Sequence, residues 1–377
     1  MIAIYQKNLI NSFFKSLGIV TVIFFCITII LNIFEEVSFF KNVEGVNFTL
    51  PIFLTILNSP SILFDIFPFI FLISTLYFFS EMIDKNELNI YKNYGLTNFK
   101  IINIITLTSF ITGIFIVILF YNISASLKFF YLDIKNDYSK DDKYLAVITS
   151  NGLWIKDETS KNINLINAEK IENNFLENVI ITQFDKNFEF KKIISAKKVD
   201  IKNKSWIIKN PSITQENELT QDKDEVVLQT NFDKERISTL FSNLSSLNIL
   251  DLNKLKKDYK NLGYSNILVN AHQLNIYSYP IYLAIMVCLS SILMFNVRHN
   301  KSKIFNFILG IFISVIIYYI NFFFKLLTES EKIPIMVSVW APQIILLLIA
   351  SIGLVKIHEK YFFNFYSFNI YFFITLL

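Results

Sequence analysis

Apolar residues along this chain gather in six long runs, at approximately 12–34, 52–80, 101–125, 273–297, 304–324 and 334–356. Each supplies the roughly twenty predominantly apolar residues that a helix needs to cross the hydrocarbon of a bilayer. The pattern predicts six spanning helices, three before and three after a long polar interval. Run 52–80 contains Pro60 and Pro68, which predicts a kink or an interfacial first turn. The first run is longer than the core of a signal peptide and lacks a small-residue cleavage site, so it reads as an uncleaved span.

From about 126 to 270 the pattern changes. "NGLWIKD", "KNINLINAEKI", "NVIITQFDKNFEFKKIISAKKVDIKNKSWIIKNPSI" and "DEVVLQTNF" show partial alternation between Asn, Asp, Gly and Lys turn signals. Short strands at that spacing predict an inserted all-β sandwich or jellyroll-like domain. Its last part, "ILDLNKLKKDYKNLG", reads as a helix leading toward the fourth span. The expected organisation is 1–125 for spans one to three, 126–270 for the β domain, 271–360 for spans four to six, and an aromatic tail, 361–377. That tail reads as interfacial or disordered rather than as a seventh crossing, because Asn364, Tyr366, Ser367 and Asn369 interrupt it.

Basic residues near the helix ends set orientation. With the N-terminus in the cytoplasm, Lys7, Lys15, Lys85, Lys92, Lys100, Arg298, Lys301, Lys303, Lys356 and Lys360 lie inside, against Lys41, Lys325 and Lys332 in short outer loops. The asymmetry places both ends of the bundle's chain in the cytoplasm and the β domain outside it.

Composition adds a caution. The chain is 53% hydrophobic and 18% charged, yet Arg occurs only at 236 and 298 while Lys, Ile, Asn and Phe abound. Such a bias follows AT-rich coding, so the length of apolar runs carries more weight than their total. A net charge of +4 is too small and dispersed for a nucleic-acid footprint. Cys26 and Cys288 sit inside apolar runs and read as small apolar residues.

Catalytic motifs are missing from the sequence. It has no GxxxxGK[ST] phosphate loop, no HExxH and no dinucleotide fingerprint, and its eight glycines leave little for a phosphate-cradling loop. His272, His299 and His358 lie far apart near span boundaries and make no metal-ligand spacing. The chain reads as non-enzymatic, without a cofactor of its own, drawing energy from a partner or an ion. Asp65 lies within the second run, and Glu35, Glu36 and Lys41 lie at the outer end of the first. They read either as interfacial residues in water or as a polar lining for an amphiphilic substrate, with Lys41 as a point charge for a phosphate.

"NELNIYKNYGLTNFK", residues 86–100, is too polar for lipid yet patterned as a helix. Leu88, Tyr91 and Tyr94 recur at helical spacing, Glu87 complements the helix dipole at its start, and Gly95 ends the pattern. Spacing alone leaves two readings open, a helix lying on lipid headgroups or one docking into a groove of a soluble partner.

Several segments together resemble the LptF/LptG permeases of the lipopolysaccharide-export ABC transporter. "IFPFIFLISTLYFFSEMIDKNELNIYKNYGLTNFKI" is similar to that family's second span followed by its E-L-x-x-(L/M)-x-x-x-G-x-(S/T) segment, with Glu87, Leu88, Gly95 and Thr97 in the matching places. "NGLWIKD", "YSYPIYLAIMVCLSSILM" and "IPIMVSVWAPQIILLLIA" resemble the start of its β-jellyroll, its fourth span and its last span. Trp154 marks the first of these, and the "GLW-K-D" form leans toward the LptG branch.

The resemblance implies a sister permease subunit, a dimeric cytoplasmic ATPase that binds the ATP, and a periplasmic jellyroll bridge protein toward the outer membrane. Lipopolysaccharide would leave the inner membrane through the permease. Residues 84–97 would be the coupling helix, with Glu87, Leu88, Tyr91 and Gly95 carrying it. At the outer end of the first span the family places several basic residues on substrate phosphates; here Glu35, Glu36 and Lys41 stand there. Two other classes compete with this reading: a membrane-anchored protein whose β domain binds an assembly partner, and an ion-coupled lipid transporter.

Overall fold

A computed structural model describes residues 3–138 and 153–359, apart from 42, 44–45, 160–161, 173, 216–220, 235, 238–242, 263–264, 297–302 and 331. The aromatic tail 361–377 and His299 lie outside the described residues.

All six predicted spans are helical: α1 (Ile4–Phe40), α2 (Thr49–Asp84), a third made of successive helical segments, α7 (Ile267–Asn296), α8 (Lys303–Glu329) and α9 (Ile335–Glu359). A short helix, α3 (Glu87–Asn93), separates α2 from α4 (Asn98–Phe115). The third span continues from α4 through a π-helical segment, Ile116–Tyr121, into α5 (Asn122–Asp137). Helix therefore extends past 125, where the apolar run stops. Several helices outrun their apolar cores. At 37 residues, α1 is about 55 Å long against about 30 Å of hydrocarbon. The helix α2 passes through Pro60 and Pro68 without a break.

The chain divides into two compact units. The first holds the N-terminal part of α1, most of α2, then α3, α4, most of α7, α8 and α9. Within it, α2 and α7 are the most enclosed spans, and α1 and α8 the least. Small residues let the helices approach closely, as is common where lipid offers no hydrophobic drive between spans. A Cβ on Gly113 of α4 would lie 2.8 Å from the Cα of Pro280 in α7, and one on Gly353 of α9 would lie 2.8 Å from Ile292 Cγ2. Hydroxyls and amides bridge the rest. Ser290 Oγ donates to the Leu72 carbonyl at 2.8 Å, and Gln343 Nε2 to Ser278 Oγ at 2.8 Å.

In the second unit the C-terminal part of α1, the start of α2 and α5 surround a core of Phe40, Leu54, Tyr131 and Leu132. The same unit contains the β domain. Among the described residues nine strands form one antiparallel sheet, with β1-β2-β4-β5-β6-β9 as its main path, β3 paired to β4, and β7 paired to β5 and β8. They are β1 (Leu153–Glu158), β2 (Ile163–Ala168), β3 (Lys170–Glu172), β4 (Phe175–Phe184), β5 (Phe190–Asp200), β6 (Ser205–Lys209), β7 (Ser212–Gln215), β8 (Gln221–Asp222) and β9 (Glu225–Gln229). Along one edge β5 serves two partners: residues 192–195 pair with β7, and 199–200 with β6. Burial alternates along β1 and β6, as a one-faced sheet requires; Leu153, Ile155, Ile166, Ile181, Ile194, Trp206 and Ile208 are buried.

Helix α6 (Ile249–Leu262) follows the sheet. It starts at Asn248, whose Oδ1 accepts the Asp251 N–H at 2.9 Å, an N-cap. Fully buried Leu252 and Leu255 form its inner face. Its first turn is pinned to α5, since Asn122 Oδ1 accepts the Ile249 N–H at 3.1 Å. Beside it, Tyr121 Oη donates to the Leu247 carbonyl at 2.9 Å and lies 3.1 Å from His272 Nε2.

Candidate functional site

The α2–α4 connection is built by backbone geometry at both ends. Asn86 adopts a left-handed conformation, φ 57°, which ends α2 and lets the chain restart as α3. Glu87 then occupies the first turn of α3, where a carboxylate complements the helix dipole. At the far end the Gly95 N–H donates to the Lys92 carbonyl at 2.9 Å and the Leu96 N–H to the Tyr91 carbonyl at 3.1 Å. That pair of bonds, with Gly95 at φ +80°, is a Schellman ending, which glycine adopts without strain. Leu96 is buried, and Thr97 Oγ1 accepts the Lys100 N–H at 3.3 Å to cap α4. The G-x-T spelling thus encodes one helix stop, one apolar anchor and one helix start.

The short helix has two faces. Leu88 is buried and its i+4 neighbour Lys92 is half-buried. On the other side Ile90 is 50% exposed and Tyr94 84% exposed, with Phe99 nearby in sequence also exposed at the start of α4. Electrostatics sort the same way. Burial pushes the Tyr91 phenol up, with the Glu87 charge adding to it. Burial pushes the Lys92 ammonium down. Lys85, outside the helix, is held up by its hydrogen bond to Glu81, 2.5 Å long. An exposed apolar pair, Ile90 and Tyr94, thus stands on a short helix whose two ends are set by backbone geometry.

The residues at the C-terminal end of α1 part company. Glu35 and Lys41 are exposed, whereas Glu36 is buried. Its Oε1 accepts from Tyr131 Oη at 2.7 Å and from Lys135 Nζ at 2.9 Å, and Lys135 Nζ also donates to Tyr131 Oη at 2.7 Å. Lys135 lies 4.6 Å from the Phe39 ring centroid. Glu36 Oε2 is buried and has no hydrogen-bond partner among the described residues. Sequence reasoning missed Tyr131 and Lys135, because they belong to an extension of the third span that reads as polar. Their i, i+4 spacing on one helix face was the available signal. Asp65 is exposed on α2.

Within the β domain Trp154 is 57% exposed, on the outward side of β1 opposite Asn167. The buried tryptophan is Trp206, whose Nε1 donates to the Phe232 carbonyl at 2.8 Å. From the same strand as Trp154, Asp157 turns inward, and its Oδ1 accepts from Asn231 Nδ2 at 2.9 Å. Arg236 continues the chain of bonds, donating from Nη1 to the Asn231 carbonyl at 2.9 Å and from Nη2 to Asp258 Oδ1 of α6 at 2.8 Å. The aspartate of "GLWIKD" therefore fastens β1 to the segment that follows β9. Among the described residues no group of three His, Cys, Asp or Glu side chains could hold a metal ion.

No individual curated protein matches the chain. A family does, over residues 7–356: the one described as the lipopolysaccharide export system permease LptF/LptG. Among the described residues, six long apolar helices and an inserted antiparallel β domain accompany that match. The chain belongs to the LptF/LptG permease family.

Proposed function

We propose that the chain is the non-catalytic permease subunit of an ABC-type exporter, working beside a sister permease, with ATP bound and hydrolysed by a dimeric cytoplasmic ATPase docked on α3. We read it as nearer the LptG branch, on the resemblance carried by its "GLW-K-D" segment. In this reading α3 faces the cytoplasm and the β domain faces the periplasm, as the distribution of basic residues favours. Lipopolysaccharide leaves the inner membrane through the spans and passes by way of the β domain to a periplasmic jellyroll bridge. Glu87 takes the ATPase contact, with Leu88, Tyr91 and Gly95 fixing the helix that carries it. Exposed Lys41 and Glu35 stand where the substrate head group would pass, and buried Glu36 holds the end of α1 that presents them.

One observation carries this reading: α3 is bounded at both ends by left-handed residues, Asn86 and Gly95, yet keeps Ile90 and Tyr94 exposed, in a chain of a permease family. The test is affinity purification from native membranes with Glu87→Lys as the variant. The expected result is an ATPase that accompanies the wild-type chain and is lost or uncoupled with the variant. Retained association together with undiminished export in Glu87→Lys would remove Glu87 from the coupling role. Transport that survives loss of the ATPase would favour ion coupling instead.

A further inference from the structure

Chain connectivity joins α3 to α2 and α4. One side-chain contact adds a third span. Lys92 Nζ lies 5.8 Å from the ring centroid of Phe295, the penultimate residue of α7. Phe295 meets Phe79 of α2 edge to face, with centroids 5.0 Å apart and planes at 68°. Phe79 is fully buried, and the adjacent Phe78 packs against Phe13 of α1 at 5.9 Å and 89°. Lys92 thus stands at the end of an aromatic column that runs through α7 and α2 to α1.

The lysine's position needs explaining. A surface lysine normally carries its ammonium into water on a flexible stem. Lys92 is instead half-buried, and burial disfavours its charge. What offsets the lost hydration is the negative face of a ring, the attraction that places cations within about 6 Å of an aromatic centroid. Lys92 also lies on the Leu88 side of α3, away from exposed Ile90 and Tyr94. A partner seated on the Ile90–Tyr94 side leaves the contact intact. Further along α7, Pro280 packs so closely on Gly113 that no Cβ fits between them, so displacement of α7 is felt by α4.

We propose that Lys92 and Phe295 are positioning residues for coupling: their contact clamps α3 to the end of α7, so that a push on α3 moves α7 together with α2 and α4. The inference rests on the docking role proposed for α3. Without the clamp, α3 still receives its partner but yields locally, and hydrolysis proceeds with less transport.

The experiment uses the whole purified complex in phosphatidylethanolamine–phosphatidylglycerol proteoliposomes containing lipopolysaccharide. It reads lipopolysaccharide extracted per ATP hydrolysed, alongside ATPase retention in a pull-down. Lys92→Met keeps the stem and removes the charge. It should leave the ATPase bound and lower the ratio about fivefold, the scale of one cation–π contact acting as a coupling term. Lys92→Arg should restore the ratio, Phe295→Leu should reproduce the loss, and the double variant should be no worse than either single one. An unchanged ratio in Lys92→Met, or losses that multiply in the double variant, overturns the clamp. Loss of ATPase binding in Lys92→Met would make Lys92 a docking contact and overturn it as well. A wild-type chain that retains no ATPase would instead overturn the docking role on which the clamp depends.

Discussion

Lys135 reaches Glu36 at 2.9 Å across two helices far apart in sequence, and both side chains are almost wholly excluded from solvent, at 3% and 0% exposure. Tyr131 bonds to both. A pair of this kind gains little net energy over an apolar one, but removing one partner strands a charge. Lys135→Met should therefore cost about 3–5 kcal/mol. Glu36→Gln combined with Lys135→Met should recover a large part of that loss. Thermal unfolding of the detergent-purified chain checks this: the single variant must melt below the double one.

At Gly95 the constraint is conformational and not spatial, for among the described residues beyond its chain neighbours no atom lies within 4 Å of a Cβ built there. Gly95→Ala should destabilise the turn by about 1 kcal/mol, and Gly95→Asn by less, because asparagine tolerates the left-handed region. Hydrogen exchange of residues 87–97 is the appropriate readout, since both substitutions act locally.

Gly113 presents the opposite case. Its added Cβ would meet backbone, the Pro280 Cα, at 2.8 Å, and neither helix can yield without separating. Gly113→Ala should lower the melting temperature of the bundle and weaken α4–α7 packing. Gly353→Ala, which meets only the Ile292 side chain, should cost less because that side chain can turn aside. Gly18→Ala, with open space around it, serves as the control and should gain up to about 1 kcal/mol in helix propensity.

Asp157 is buried and holds Asn231. Asp157→Ala would leave the Asn231 amide without that acceptor, at a cost of about 1–3 kcal/mol. The segment after β9 should then loosen, and limited proteolysis should cut between 229 and 237 faster than in the wild type.

The six spans were legible because length and hydropathy alone define them. The helical overhang was not. Residues 126–137 leave the apolar run yet continue as helix, with Tyr131 and Lys135 bonded to Glu36 of α1. The turn at 94–97 was readable since Gly and Thr serve local backbone needs. Glu36 was harder: sequence places it at a boundary, but its burial depends on a lysine about a hundred positions away. Strand alternation identified the two faces of the sheet without saying which tryptophan would be inside, and Trp206 rather than Trp154 takes that place.

Between the glycine that stops α3 and the threonine that caps α4 stands one residue, Leu96, and it is buried. Loops usually absorb insertions readily, but this one has no spare length. A single added residue there would turn the whole of α4 by roughly 100° about its axis and carry its close-packing glycine away from α7. The length of this connection, as well as its composition, is fixed by the fold.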